Sequence, residues 1–376
     1  MNLQLLVRDI APEQVFEPRA AARLADLVYV SDESPGLTRR NSGTGFAYYD
    51  TKGRLIRDRE VLKRVRSLAV PPAYRNVWIC PDPNGHIQAT GRDDKGRKQY
   101  RYHPRWSEVR DSTKYEHMLE FAKVLPAIRA RVNSDMAKRG LPREKVLATV
   151  INLLETTLIR VGNEDYAKDN GSYGLTTLRS RHVAVASSEL RFNFKGKSGK
   201  IWRLQVKDRR VARVVKACQE LPGQHLFQYI DADSESRAVT SSDVNDYLRE
   251  ITGMDITAKD FRTWAGTVLA AMALSEFESF DSQAHAKKNV KIAIERVAAR
   301  LGNTPTICRK CYVHPEVLNS YLDGQLLENI KSEVETELRD ELAGLQPEEA
   351  AVLGLMRKRL NLEIYERMKA RRSLRR

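Results

Sequence analysis

A chain of 376 residues, 41% of them hydrophobic, can bury a substantial core and is expected to be a soluble globular protein of two domains, since single cores rarely grow past roughly 250–300 residues. Its formal charge of +15, from 64 Lys and Arg against 49 Asp and Glu, exceeds what solubility needs and points to a polyanionic partner, nucleic acid first; a generically basic protein is the plain alternative. Four cysteines, two of them isolated at Cys80 and Cys218, exclude a disulfide framework and fit a reducing compartment.

Residues 1–25 hold the apolar patch LQLLV but lack the longer apolar core and cleavage context of a signal peptide, and no stretch approaches a membrane span. A cytoplasmic, nucleoid-associated protein is therefore expected, with no membrane partner. A helix-like stretch near 18–28 is followed, from about 44 to 103, by short strands broken at DTKG, PDPNG and DDKG, where glycine is available for positive φ. These residues predict a small, mostly antiparallel β domain.

After Trp106 the pattern changes to long amphipathic helices at about 113–138 and 142–160, with Val146, Leu147, Val150, Ile151, Leu154 and Leu158 at helical spacing. The expected fold class is α+β: a β-rich amino-terminal domain over 1–108, a larger, mainly helical domain over 109–322, and a charged helical extension over 323–376. One β interruption is expected at 183–206, the rest being helical. The tail splits into an acidic, helix-favouring part (331–350) and a basic one, ERMKARRSLRR (366–376), read either as a cationic arm for phosphates or as a solvated terminus.

Four stretches hold side chains that can do chemistry. In LETTLIRVGNEDY, Arg160 is expected to close an apolar helix with Gly162 as its C-cap glycine, and a cation complementing the helix end is its plain alternative. In LRFNFKGKSGKIWRLQV (190–206), Leu190, Phe192 and Phe194 alternate on one arm and Trp202, Leu204 and Val206 on the other, predicting a hairpin whose tip presents Lys197. Such a lysine is either an ordinary turn residue or a proton donor delivered to a leaving oxygen.

In DITAKDFRTWAGTVLAAMALSEF (255–277), Thr257 and Asp260 read as a capping box and Trp264, Val268, Ala271 and Met272 as the buried face. Arg262 then falls in the second turn, fixed by its helix or lying at the surface. In NTPTICRKCYVHP (303–315), Thr304-Pro305 and His314-Pro315 each start a helix, leaving Tyr312 at the end of a short one, where it either protrudes into a groove or packs. Two arginines, a lysine, an Asn or His and a tyrosine suffice to cut a phosphodiester without metal. Guanidiniums and an amide N–H hold the nonbridging oxygens, a phenolate attacks, and an acid protonates the departing oxygen.

The segments RVGNEDY (160–166), GLTTLRSRHV (174–183), FKGKSGK (194–200), KDFRTWAG (259–266) and LGNTPTICRKCY (301–312), with GRDDKGRKQYRYH (91–103), resemble in order and spacing a type IB DNA topoisomerase of the bacterial and poxvirus kind, over most of residues 45–322. The resemblance implies Arg160 and Arg262 as phosphate clamps, Lys197 as the acid expelling the 5′ oxygen, and Tyr312 as the nucleophile forming a 3′-phosphotyrosyl bond. Asn303 stands where many members have histidine, nine residues before the tyrosine, and can donate a hydrogen bond but not relay a proton.

It further implies that Gln99, Tyr100 and Tyr102 touch bases and backbone in the major groove, that Tyr166 and Lys259 add contacts, and that Arg92, Arg97 and Lys98 serve phosphates. The implied protein is a monomer that clamps double-stranded DNA and relaxes supercoils of either sign with no cofactor, neither ATP nor metal.

Two alternatives stand beside it. A tyrosine recombinase shares the chemistry but usually shows HxxR at the second arginine, where this chain has Lys259 three residues before Arg262. A noncatalytic DNA clamp accounts for the charge and not for the five filled positions. Cys308 and Cys311 with His314 offer at most three zinc ligands where a closed site takes four, so the cysteines are expected to pack beside the tyrosine helix.

Overall fold

The computed structural model describes residues 25–43, 45–94, 96–277, 280–326 and 344–357, with 19, 22 and 23 before them, and only the backbone over 107–116. The acidic stretch up to residue 343 and the basic end at 366–376 lie outside the described residues. The chain divides into two compact units, residues 1–117 and 118–376.

The first unit is built on a five-stranded antiparallel sheet in the order β2-β1-β3-β4-β5, with β1 Leu37–Ser42, β2 Gly45–Tyr49, β3 Arg75–Ile79, β4 Ile87–Arg92 and β5 Lys98–Tyr102. Turn chemistry closes the hairpins as the sequence predicts: Asp50 accepts from the N–H groups of Lys52 and Arg54, and Gly53 takes φ +76°. Two features differ from expectation. The sheet begins at Leu37 rather than near 44, and helix α1 (Arg59–Ser67) interrupts the strands. Asp58 caps α1 by accepting from Glu60 N and Val61 N, and Val65 buries against Leu37, Tyr48, Val77, Ile79 and Ala89. Its short apolar set, Val61, Leu62 and Val65, is too brief to stand out among strands.

The second unit is mainly helical: α2 Pro104–Met136, which begins in the first unit, α3 Arg143–Thr157, α4 Glu164–Asn170, α5 Arg209–Gln219, α6 Ser241–Thr252, α7 Ala258–Ser275, α8 Gln283–Leu301, α9 Pro305–Cys311 and α10 Pro315–Leu322. Val146, Leu147, Val150, Ile151 and Leu154 of α3 are fully buried, as their spacing predicts. A three-stranded antiparallel sheet, β6 Val183–Ala186, β7 Glu189–Lys195 and β8 Ile201–Lys207, occupies the expected β interruption.

The remainder is not all helix: β9 Gln228–Ile230 and β10 Ser236–Ala238 form a further hairpin around Asp231, which accepts from Asp233 N and Glu235 N. Three-residue strands leave too short an alternation to register in the sequence. On α7, Met272 proves to be 39% exposed rather than part of the buried face. No helix of the described residues is long and apolar enough to cross a membrane.

Candidate active site

Helix α3 ends earlier than the sequence predicts. Leu158 takes a left-handed conformation, φ +59°, and returns its N–H to the carbonyl of Leu154, so Arg160 stands beyond the helix and Gly162 is not its C-cap. Burial of the Leu158 side chain, 4% exposed, holds a β-branch-free residue in a conformation that usually takes glycine. The freed segment 160–162 is then clamped by the GLTTL stretch. Leu175 N donates to Arg160 O at 2.9 Å and Thr176 N to Val161 O at 2.7 Å. A Cβ on Gly174 would lie 2.6 Å from Arg160 O and from the Gly162 backbone, which is why two glycines face each other here.

Arg262 lies in the second turn of α7, behind the expected box in which Asp260 accepts from Thr257 N at 2.8 Å. It is no surface arginine: it is 3% exposed, and its two terminal nitrogens donate to the carbonyls of Leu158 and, at 2.7 Å, of Leu301. One guanidinium thus joins the ends of α3 and α8, using two donors of a rigid fork that lysine lacks. Its Nε is buried with no hydrogen-bond partner among the described residues. Burial first, then the neighbouring Arg160 charge, weakens its hold on its proton, while Tyr312 works the other way. Burial likewise lowers the Arg160 pKa. Two neighbouring guanidiniums lining one cavity favour an anion there.

Helix α8 ends at Gly302, φ +65°, and Asn303 follows, its Oδ1 accepting from Arg160 Nη2. Its Nδ2 is buried with no partner among the described residues, a donor without an acceptor. Thr304 caps α9 and Pro305 opens it, as the sequence predicts, and the helix stops at Tyr312, whose N–H bonds Cys308 O at 2.9 Å. Tyr312 is half-buried, its ring 5.2 Å beneath the Arg262 guanidinium.

The main chain of Tyr312 sits directly on α7. A Cβ on Gly266 would lie 2.4 Å from Tyr312 O, and the buried Thr267 hydroxyl accepts from His314 N at 3.1 Å. Neither residue is singled out by the sequence reading. A glycine inside an apolar helix signals close backbone approach and could have flagged Gly266; nothing local marks Thr267.

The hairpin of β7 and β8 pairs Phe194 with Trp202, Phe192 with Leu204 and Leu190 with Val206, with the phenylalanines and Leu190 buried. Its tip is a tight turn at Lys197–Gly199 in which Ser198 and Gly199 both take positive φ. Trp202 lies so close to Gly302 that a Cβ there would meet its ring at 2.6 Å, which seats the hairpin on the end of α8 beside Asn303. Lys197 is exposed, with Nζ 5.6 Å over the ring of Tyr166 on α4.

Arg160, Lys197, Arg262 and Tyr312 line one cavity of about 380 Å³, together with Tyr166 and Lys259. Asn303 joins the set through Arg160. Cys308 is fully buried in α9 and Cys311 half-buried, and burial pushes the Cys308 thiol up to about 11, so it is no thiolate at neutral pH.

The six other sequence-predicted residues belong to the first unit. Tyr100 and Tyr102 are 43% and 46% exposed on β5, their rings stacked at 5.8 Å. Arg92 donates to Gly96 O, Arg97 and Gln99 both bond Asp93, and Lys98 pairs with Asp32 at 2.6 Å. The basic residues here are anchored on acidic or carbonyl partners.

Residues 103–342 match the family described as eukaryotic DNA topoisomerase I, catalytic core, and residues 45–93 the bacterial DNA topoisomerase IB amino-terminal domain. The chain is 32% identical over 293 residues to the DNA topoisomerase 1B of Acanthamoeba polyphaga mimivirus, covering 76% of this chain and 87% of the relative. It is 25% identical over 279 residues to DNA topoisomerase 1B of Vaccinia virus (strain Copenhagen) and to DNA topoisomerase I of Monkeypox virus, in each case covering 72% of this chain and 83% of the relative.

Proposed function

Because this chain belongs to the type IB DNA topoisomerase family, an enzyme that relaxes supercoiled DNA, we propose that Tyr312 is its nucleophile and that Arg160, Arg262, Asn303 and Lys197 complete the catalytic set. The carrying observation is the convergence of Arg160, Lys197, Arg262 and Tyr312, from four separate stretches of chain, on one cavity. The phenolic oxygen of Tyr312, losing its proton to solvent, attacks the phosphorus, forming a 3′-phosphotyrosyl bond as the bond to the 5′ oxygen breaks. Lys197 Nζ gives its proton to that leaving oxygen.

Negative charge growing on the nonbridging oxygens is held by the guanidiniums of Arg160 and Arg262 and by the Nδ2 of Asn303, which has no partner among the described residues. The reverse steps reseal the strand after rotation. The phosphotyrosyl linkage conserves the energy of the broken bond, so resealing needs no ATP, and supercoils of either sign relax.

Double-stranded DNA is the partner, held by a monomer acting as a clamp. In the first unit the exposed, stacked Tyr100 and Tyr102 offer π-faces and hydroxyls, and Gln99 a reader of base edges. Arg92, Arg97 and Lys98 serve phosphates by exchanging or sharing their present partners, and Tyr166 and Lys259 add contacts at the cavity rim. Neither a tyrosine recombinase nor a noncatalytic clamp draws support from any match.

The test is relaxation of supercoiled plasmid by the purified full chain with EDTA present and ATP absent. Tyr312→Phe, which keeps the ring and removes one oxygen, should bind duplex normally while relaxation and the covalent adduct vanish. An adduct surviving in that variant would overturn the assignment.

A further inference from the structure

The stretch 344–357 lies beyond the residues that match the catalytic-core family, yet it is built into the second unit. Ala350, Ala351, Val352, Leu353, Leu355 and Met356 are each at most 3% exposed. The sequence QPEE begins this helical stretch, with Pro347 at its first position and Glu349 accepting from Gln346 N at 2.9 Å.

The carboxylate of Glu349, 8% exposed, does more than cap its own helix. Its two oxygens accept a bidentate pair from Arg129 of α2, both at 2.8 Å, and Oε1 also accepts from the indole N–H of Trp264 at 3.0 Å. Arg129 in turn donates Nε to Glu155 of α3 at 2.7 Å.

These partners stand on the two elements that hold the arginine clamp. Trp264 is two residues beyond Arg262 on α7. Glu155 lies in the last turn of α3, ahead of Leu158, whose carbonyl anchors Arg262, and of Arg160. A bidentate guanidinium–carboxylate pair has a fixed planar geometry, so a buried one sets the separation of the helices it joins. We propose that Glu349 is a positioning residue for the Arg160–Arg262 clamp, acting through Trp264 and Arg129, and that the segment beyond the family core is thereby part of the catalytic apparatus. The proposal rests on the roles assigned to the two arginines above.

Glu349→Gln keeps the shape of the side chain but removes its charge and turns a donor toward groups that are themselves donors. Single-turnover cleavage by the full chain would be measured at a mapped position of a duplex oligonucleotide, once with an ordinary phosphodiester and once with a methylphosphonate. The methyl group removes the nonbridging charge that the clamp must hold. Glu349→Gln should cleave the ordinary linkage on the order of tenfold to a hundredfold more slowly, bind duplex within twofold of the parent, and lose most of its deficit on the methylphosphonate. Trp264→Phe, which keeps an aromatic ring and removes only the N–H donor, should show the same pattern and serves where Glu349→Gln does not fold.

A deficit equal on both linkages, or none on the ordinary one, overturns the proposal and leaves Glu349 a stability residue. Arg160→Ala separates the two levels. If its deficit depends on the linkage while that of Glu349→Gln does not, only the positioning role fails; if its own deficit is linkage-independent, the clamp assignment and the role of Glu349 fall together.

Discussion

Arg160 and Asn303 are joined by a hydrogen bond in which the guanidinium donates to the amide oxygen, leaving Asn303 Nδ2 buried with no partner among the described residues. A guanidinium can only donate, so this contact fixes the amide orientation and aims its N–H₂ group elsewhere. Asn303→Asp keeps the acceptor for Arg160, removes the donor and adds a negative charge where the proposed mechanism holds the scissile phosphate. Cleavage should fall on the order of a hundredfold to a thousandfold, the usual cost of losing one such donor. Asn303→His restores an N–H and should recover to within about tenfold of the parent. Single-turnover cleavage rates decide it: an Asp variant as fast as the parent removes Asn303 from the site.

Lys197 stands at an exposed tip, with its ammonium over the Tyr166 ring. In its proposed role as the acid for the 5′ oxygen it is dispensable when the leaving group needs no proton. Lys197→Ala should therefore cleave an ordinary linkage on the order of a hundredfold more slowly and approach the parent rate on a bridging 5′-sulfur substrate. Equal impairment on both would make Lys197 a positioning group.

Gly266→Ala sets two effects of opposite sign against each other. Alanine favours a helix interior by about 1 kcal/mol over glycine. The added Cβ, however, would lie 2.4 Å from Tyr312 O and 3.1 Å from Tyr312 Cβ, and the first of these is backbone that cannot swing away. Overpacking of this kind costs about 1–3 kcal/mol, so the variant should be less stable in urea unfolding. Cleavage should slow by at least about tenfold as Tyr312, the proposed nucleophile, shifts. A stabilised, fully active variant would show that α7 and the Tyr312 segment separate freely.

Cys308 and Cys311 differ in environment although they share one CxxC. With Cys308 buried and its thiol pushed up to about 11, brief iodoacetamide treatment of the native chain at neutral pH should label Cys311 and spare Cys308, read by peptide mass mapping. Changing both to Ser should keep relaxation within about threefold of the parent while lowering Tm, because a smaller, more polar hydroxyl replaces a fully buried sulfur at position 308. Stoichiometric zinc in the parent, lost together with relaxation in the double variant, would contradict this.

The sequence by itself determined the features whose causes lie within a few residues. The Asp50 turn, the Thr257 and Asp260 box, the helix starts at Pro305 and Pro315, and the pairing of Phe194 with Trp202 follow from side chains bonding or packing against near neighbours. The motif order likewise marked the family and singled out the five positions proposed for the chemistry. Only the tertiary structure decided where those positions stand.

Arg160 left its helix because Leu158 takes a left-handed turn made tolerable by burial, and Arg262 went inside because two helix ends offer it carbonyls more than a hundred and nearly forty residues away, at separations of 104 and 39. Thr267 supports the Tyr312 segment, and Glu349 reaches Trp264, across similar gaps. Such contacts are fixed by which buried donors and acceptors meet once the helices pack. A local pattern holds no record of the partner, because the partner's place is set by the rest of the core.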